Sequence, residues 1–370
     1  RGLGDVYKRQ PYAGAGFKIY DPDGNPVTMT FTYPTPTTID VFYTNAEGSL
    51  VTPEKLSFGK GYSIVEVQAP YGYVLDETPV YFDVTEDNST EESGVTVVKV
   101  DKPNMAQKGT ITVEKTGEVF FGVSVIGGVD ESGNELPTIY QPQYEKRGLP
   151  GAVYEIIAAE DIITQDGTVR NHKGEVVDTV TTDENGTAVS RELYLGKYEV
   201  REITAPHGMV LNPEPHCVEL VYAGQNVAVT ETATSFENER QKVEISLVKS
   251  IEQNERFGIG NNGEMKNISF GLFAAEEIVS ASGTSIPANG LVEIISLNED
   301  GTAKIKTDLP FGSYYVQELA TDSHYKLSDT KYPVTFGYAG QDTAVVKIAV
   351  NDGNAVCLLY TSPSPTRLRR

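Results

Sequence analysis

The stretch GKYEVREITAPHGM, from Gly196 to Met209, decides how this chain folds. Its alternation of apolar and polar residues predicts a β-strand, and the Ala-Pro pair predicts the turn that ends it. Two further copies follow the same pattern, GKGYSIVEVQAPYGY from Gly59 to Tyr73 and GSYYVQELATDSHY from Gly312 to Tyr325. A repeat at this scale indicates one structural unit that is used three times.

Two other motifs recur around these strands, an opening segment rich in Gly and Phe or Tyr and a hairpin-type turn. The opening segments are 14–20, 151–162 and 268–278, and the turns are 44–49, 182–188 and 298–303. Many short strand candidates separated by turn residues are typical of a β-sandwich. We therefore expect an all-β chain of three tandem Ig-like or prealbumin-like β-sandwich domains. They are a first unit at 11–106, a second unit at 107–241 and a third unit at 242–356.

The two ends of the chain differ in character from its body. Residues 1–10 and 357–370 are basic, whereas the chain as a whole is acidic. We interpret both ends as foreign sequence that does not belong to the fold. The opening strand of the first unit should precede Gly14, so we expect that unit to lack its first strand.

Composition and charge exclude several classes of function. The net charge of −22 would repel a phosphate backbone, so nucleic-acid binding is not expected. No apolar run approaches the ~20 residues that span a bilayer, and two cysteines cannot staple three domains. The four histidines are scattered through predicted loops, and no nucleophile or phosphate-binding motif occurs. We expect no cofactor, no metal and no enzymatic turnover of a substrate.

Strand alternation nevertheless places charged side chains in the predicted core. Glu202 shares the apolar face of its strand with Tyr198 and Val200, because alternate residues point to the same side. The same counting places Lys115 and Asn238 on the inner faces of the first and last strands of the second unit. Lys and Glu are almost never fully buried without a partner.

Two interpretations fit a buried Lys, Glu and Asn. The first is a buried ion pair beside a hydrogen-bonded amide. The second is chemical: burial lowers the pKa of Lys115 and raises the pKa of Glu202, so the amine becomes a nucleophile and the acid a hydrogen-bond donor to the Asn238 carbonyl. Attack by the amine on the amide carbon would expel ammonia and leave a Lys–Asn amide.

The repeated motifs resemble the Cna B-type and SpaA-like domains of Gram-positive pilins and adhesins. The resemblance rests on the G-A-x-[FY] opening, the lysine that ends the first strand, the Y-x-[VI]-x-E-x-x-[AP] element and the closing Asn, and it covers nearly all of residues 11–354. It implies an autocatalytic isopeptide bond between Lys115 and Asn238, promoted by Glu202. It also implies an extracellular, cell-wall location and contact with a host or matrix ligand or with neighbouring pilin subunits.

The other two units match the pattern less completely. In the third unit, Lys249 and Glu318 fit, and Asn354 lies 36 positions after Glu318, as Asn238 does after Glu202. Asn351, 33 positions after Glu318, is a rival. In the first unit the promoting acid would be Glu66, and Asp101 lies 35 positions after it, where the Asn is expected. We predict that the first unit forms no cross-link.

A carbohydrate-binding accessory module of a secreted enzyme is the alternative function. It would need an exposed aromatic platform, for which Tyr140–Tyr144 is a candidate, although the chain has no Trp. Two insertions in the second unit, 119–147 and 162–176, exceed ordinary hairpin loops and are candidate partner surfaces.

Overall fold

The computed structural model describes residues 13–32, 34–86, 90–92, 95–129, 131–253, 255–351 and 354–358. At residues 90–92, 95, 96, 257, 351 and 354–358 only the backbone is described. Within these ranges the regular structure is β-strand apart from two single-turn 3₁₀ segments, Glu255–Phe257 and Glu264–Asn267. The all-β prediction is confirmed. The expected loss of an opening strand before Gly14 falls on residues outside the described ranges.

The first unit is built on a four-stranded antiparallel sheet. Its strands are β1 (Gly16–Tyr20), β2 (Met29–Phe31), β3 (Thr37–Ile39), β4 (Phe42–Tyr43), β5 (Gly59–Gln68), β6 (Tyr73–Val74), β7 (Val80–Val84), β8 (Thr90–Glu92), β9 (Val95–Val97) and β10 (Met105–Ala106). The main sheet has the order β4-β1-β5-β7, and β10 pairs with β6. Its buried core is small, formed by Ile19, Met29, Phe42 and Tyr62.

The second unit is a sandwich of two facing sheets. Its strands are β11 (Lys108–Val129), β12 (Glu135–Gly148), β13 (Val153–Ala158), β14 (Ile162–Ile163), β15 (Val169–Asn171), β16 (Val176–Thr181), β17 (Thr187–Val189), β18 (Leu193–Tyr194), β19 (Gly196–Thr204), β20 (His216–Leu220) and β21 (Val229–Asn238). One sheet has the order β16-β13-β19-β20; in the other, β11 pairs with β17, β18 and, in parallel, with β21. Tyr154, Tyr198 and Phe236 lie in the core between them.

The third unit repeats this arrangement. Its strands are β22 (Lys242–Val248), β23 (Ser269–Ala274), β24 (Ile278–Val279), β25 (Ser285–Ile286), β26 (Leu291–Ser296), β27 (Thr302–Lys304), β28 (Gly312–Ala320), β29 (Lys331–Phe336), β30 (Val345–Asn351) and β31 (Asn354–Leu358). Strands β26-β23-β28-β29 form one sheet, and β27-β22-β30-β31 form the other. As in the second unit, the first and last long strands, β22 and β30, run parallel and adjacent.

The insertion at 119–147 forms a two-stranded ribbon from the far ends of β11 and β12. It leaves the second unit and packs on the third, where Phe120, Val123 and Tyr140 contact the hydrophobic core. Backbone amides of the third unit donate to the ribbon, Ala281 to Phe120 O at 3.0 Å and Ser282 to Phe121 O at 2.9 Å. The ribbon therefore joins the sheets of two units, and this part of the insertion is an intramolecular interface.

Candidate functional site

Three polar side chains meet between the two sheets of the second unit. Lys115 lies on β11 and Asn238 lies at the end of the adjacent parallel strand β21, two positions beyond the residue that pairs with Lys115. Glu202 comes from β19 in the facing sheet. Since alternation turns Glu202 and Lys115 inward from opposite sheets, their charged groups meet at the centre of the sandwich.

The three side chains are in direct contact. Lys115 Nζ lies 2.9 Å from Glu202 Oε1 and donates to Asn238 Oδ1. Asn238 Nδ2 donates to the same Glu202 oxygen at 3.0 Å. One carboxylate oxygen thus contacts both the amine and the amide nitrogen.

Water is excluded from this cluster. The side chains of Lys115 and Glu202 are 0% exposed, and Asn238 as a residue is 2% exposed. Lys115 Nζ lies 5.9 Å from the ring centroid of Tyr154 and 5.8 Å from that of Phe236. The second Glu202 oxygen accepts from the Asn212 backbone amide at 2.9 Å, which fixes the carboxylate against the turn after β19.

Burial controls the charge of the lysine. Desolvation lowers the pKa of Lys115, and the hydrogen bond and charge of Glu202 oppose that change only in part. The orientation of the amide differs from the sequence-based expectation that Glu202 donates to the Asn238 carbonyl. Here the carbonyl faces Lys115 and the amide nitrogen faces Glu202, because a carboxylate oxygen attracts the two N–H donors beside it.

The third unit brings together a looser pair. Lys249 follows β22 directly, and its Nζ lies 3.8 Å from Glu318 Oε1. The Lys249 side chain is 17% exposed, against 0% for Lys115, so its desolvation is weaker. Glu318 accepts from the Ser328 backbone amide at 2.8 Å, which repeats the contact between Glu202 and Asn212.

The proposed amide partners of Lys249 lie at a chain reversal. Strand β30 ends at Asn351, and β31 begins at Asn354 and runs back antiparallel, with Asn351 opposite Asn354. Asn354 therefore does not continue β30 in the way that Asn238 continues β21, although its spacing from Glu318 is the same. The side chains of Asn351 and Asn354 lie outside the described part of the structure, so the choice between them stays a prediction.

In the first unit the structure places Asn104, and not Asp101, against the buried acid. Glu66 is 0% exposed, and Asn104 Nδ2 donates to both of its carboxylate oxygens at 2.8 Å. Asp101 is exposed. Burial raises the pKa of Glu66, because the contacts from Asp76 and Asn104 offset desolvation only in part.

The sequence does contain a signal for Asn104. The linker reads Asn-Met-Ala-Gln-Lys from Asn104 to Lys108, and the next linker reads Asn-Glu-Arg-Gln-Lys from Asn238 to Lys242. Alignment on the shared Gln-Lys pair identifies Asn104 as the equivalent of Asn238. Counting from Glu66 missed it because the segment before Asn104 is longer than its counterpart in the second unit.

The aromatic stretch Tyr140–Tyr144 is occupied by contacts inside the chain. Tyr140 packs against the core of the third unit. The Arg240 guanidinium carbon lies 3.7 Å from the Tyr144 ring centroid, and the Tyr144 hydroxyl donates to Asp308 O at 3.3 Å. These rings therefore do not form the open platform that a carbohydrate-binding module needs. The other insertion, 162–176, folds into the β14–β15 hairpin.

The described residues contain neither a metal-binding cluster nor a membrane-spanning helix. No group of three or more His, Cys, Asp or Glu side chains there is arranged to hold a metal ion. No helix within those same ranges has the length and apolar character to cross a bilayer.

The fold is that of a SpaA prealbumin-like domain, present three times. The family model for this domain matches residues 4–99, 141–234 and 253–353, and the chain belongs to this family. The matched segments contain Glu66, Glu202 and Glu318 but neither Lys115 nor Lys249. Family membership thus supports the fold, but it provides no evidence for the cross-link.

Several proteins similar to this chain come from Streptococcus and Bacillus species. The trypsin-resistant surface T6 protein of Streptococcus pyogenes is 26% identical over 147 residues, which are 38% of this chain and 26% of that protein. The structure of the Bacillus anthracis TIE protein matches with a TM-score of 0.51 and 22% identity, over 93% of this chain and 48% of that one. A variant of BcpA, the major pilin subunit of Bacillus cereus, matches at 18% identity over 94% of this chain and 96% of that one, with a TM-score of 0.30. The chain thus spans about a quarter of the T6 protein and about half of the TIE protein.

Proposed function

We propose that this chain is a structural module of a Gram-positive surface protein, of the pilin or wall-anchored adhesin type. We further propose that its second unit closes an amide between Lys115 and Asn238 without any external catalyst. The observation that carries this proposal is the water-free contact of Lys115, Glu202 and Asn238 between the two sheets.

Formation of the amide needs no reactant other than these three residues. The neutral Lys115 amine forms a bond from Nζ to the amide carbon of Asn238, and the bond from that carbon to Nδ2 breaks. Glu202 Oε1 contacts both nitrogens, so it can take a proton from the attacking amine and deliver it to the leaving nitrogen. Ammonia leaves, and Glu202 is regenerated. The fold supplies the orientation, which is a large part of the rate of an intramolecular reaction.

The position of the amide suits a load-bearing role. It would join β11, the strand by which the chain enters the second unit, to β21, the strand by which it leaves. Tension between neighbouring units would then pass through a covalent bond instead of the backbone ladder of β11 and β21. The membership of the SpaA family and the similarity to a streptococcal surface protein support a place outside the cell, at the cell wall.

We expect the three units to differ in whether and how fast they form an internal Lys–Asn amide. We propose closure in the third unit between Lys249 and an Asn of the chain reversal at 351–354, more slowly than in the second unit because Lys249 is less desolvated. We propose that the first unit remains open, because Lys102 donates to Asp76 Oδ2 at 2.7 Å and to Thr78 O at 2.8 Å. We expect the partners of the module to be neighbouring subunits or a host or matrix ligand.

Intact-mass measurement of the purified chain tests the proposal. The mass should lie below the sequence mass by one ammonia for each closed unit, and Lys115→Ala should restore the ammonia of the second unit. Lys249→Ala is the matched control, which leaves the second unit closed. A wild-type mass equal to the sequence mass would refute the cross-link and leave the assignment of the family untouched.

A further inference from the structure

A buried glutamine lies at the boundary between the first and second units. Gln107 is 1% exposed, and its backbone amide donates to Gly72 O, in the turn after β5, at 2.8 Å. Its side-chain amide enters the second unit and donates to Gly224 O at 2.9 Å and to Val227 O at 2.5 Å. Its side-chain oxygen accepts from the Ala223 amide at 2.9 Å. Every hydrogen-bonding atom of the Gln107 side chain is thus used, by the loop that contains Tyr222–Gln225.

Gln241 repeats these contacts between the second and third units. It is also 1% exposed, and its backbone amide donates to Gly208 O at 2.8 Å. Its side-chain amide donates to Gly340 O at 3.1 Å and to Thr343 O at 2.6 Å. The side-chain oxygen accepts from the Ala339 amide at 2.8 Å.

A second glutamine in each junction makes the reciprocal contact. Gln225 belongs to the second unit, and its side-chain oxygen accepts from the Ala69 amide of the first unit at 2.9 Å. Gln341 of the third unit accepts from Ala205 of the second, also at 2.9 Å. The backbone oxygens of the same two glutamines accept from Leu75 and Leu211, each at 2.9 Å.

The turn that receives these contacts requires glycine. Gly72 has φ +87, and a Cβ on it would lie 2.9 Å from Gln165 Cγ in the second unit. Gly208 has φ +85, and its Cβ would lie 2.9 Å from Phe311 Cε2 in the third unit. The backbone conformation at both positions strongly favours glycine, and a Cβ would also force the neighbouring side chain of the next unit to shift.

The corresponding turn of the third unit is built differently. Asp322 replaces the proline and His324 replaces the glycine of the other two turns. Asp322 accepts from Asn267 Nδ2 at 2.6 Å, and the Tyr325 hydroxyl donates to Glu252 O at 2.8 Å, so residues of the same unit contact this turn. The junction motif thus accompanies the two places where one unit meets the next.

We propose that Ala-Pro-x-Gly, Asn-x-x-Gln-Lys and Tyr-Ala-Gly-Gln together form a repeated docking interface between successive copies of the unit, with Gln107 and Gln241 as its central residues. This interface fixes adjacent units in one orientation, so that the chain is a stiff rod instead of domains on flexible linkers. The proposal is independent of any covalent cross-link.

The orientation is fixed because each of these glutamines forms hydrogen bonds to both of the units that it connects. A linker of a few residues limits the separation of two domains but not their rotation. Gln107 binds the first unit through its backbone and the second through three side-chain contacts, and Gln225 returns two contacts, from the Ala69 and Leu75 amides. Rotation of either unit would leave these buried polar groups without partners, which is strongly unfavourable.

Spin-label distance measurements on the full chain test this interface. In a Cys217→Ser, Cys357→Ser background, labels at Tyr81→Cys and Lys173→Cys report on the first junction, since both positions are exposed. Gln107→Ala should broaden the distance distribution at least about twofold, as expected for units that reorient freely. Gln107→Glu, which keeps the size but removes the donor to Gly224 O and Val227 O, should broaden it as well.

Control variants distinguish the loss of the junction contacts from a general loss of stability. Gln68→Ala removes a glutamine whose amide donates inside the first unit, to Gly14 O at 3.2 Å, and should leave the distribution narrow. Gln241→Ala, measured between Lys173→Cys and Leu327→Cys, should broaden its distribution less than Gln107→Ala does, because the ribbon still joins the second and third units. Distributions for Gln107→Ala and Gln107→Glu as narrow as that of Gln68→Ala would overturn the proposal.

Discussion

Replacement of Lys115 by methionine should lower the stability of the second unit, by an amount set by the length of the loop that the Lys115–Asn238 amide would close. The amide would join residues 123 positions apart. A cross-link of that span removes conformational entropy from the unfolded chain worth about 5 kcal/mol at 25 °C. Methionine has a similar length and is apolar, so it fills the space among Tyr154 and Phe236 without adding a charge. For a unit of this size the loss corresponds to a melting temperature about 15–25 °C lower.

Scanning calorimetry of the full chain measures this effect, since each unit is expected to give its own transition. Lys115→Met should move one transition down by that amount and leave the others in place. Lys249→Met, the matched control in the third unit, should not move the same transition. If Lys115→Met shifts the melting temperature by only a few degrees, the wild-type unit carries no cross-link, because the loss of a closed amide alone would cost about 5 kcal/mol.

Three further outcomes are expected. Asp76→Asn should make the stability of the first unit less sensitive to acid. The hydrogen bond from Lys102 lowers the pKa of Asp76 from 3.8 to about 2. The ionised Asp76 therefore stabilises the folded unit above pH 3.8, and this contribution is lost as the pH falls through about 2. Melting curves from neutral to acidic pH measure it, and an unchanged slope in the variant would contradict it. Asp308→Asn should destabilise the contact between the second and third units by about 1–3 kcal/mol, because it removes the nearer of the two carboxylates that pair with the buried Arg240, the other being Glu118. Urea unfolding measures this loss, and an unchanged midpoint would count against it. In a time course of intact mass that starts from newly synthesised chain in which no amide has formed, the ammonia loss that depends on Lys249 should be slower than the loss that depends on Lys115. Equal rates would show that desolvation of the lysine does not set the rate of closure.

Strand alternation was sufficient to predict which side chains meet in the second unit. Tyr198, Val200 and Glu202 lie on one face of β19, and all three are buried. The same rule predicts that Lys115 points inward from β11. The period of two is a local property of an extended backbone, so it can be counted directly from the sequence.

Contacts between units could not be predicted in this way. The ribbon at 119–147 was recognised as an insertion, but alternation does not tell which surface a two-stranded ribbon will cover, and it covers the third unit. The pairing of Gln107 with a loop more than a hundred residues away depends on how two folded units meet. The Asn-x-x-Gln-Lys motif is repeated in the sequence, but its role follows only from the contacts that Gln107 and Gln241 make with the next unit.

Peptide mapping of the wild-type chain detects the proposed amide between Lys115 and Asn238 itself. After proteolysis, tandem mass spectrometry should find a branched peptide in which Lys115 and Asn238 are joined with the loss of one ammonia. In Glu202→Gln the same digest should yield two linear peptides, because the amide side chain cannot carry the proton between the two nitrogens. Linear peptides with an unmodified Lys115 and Asn238 in the wild type would show that the second unit does not form this amide.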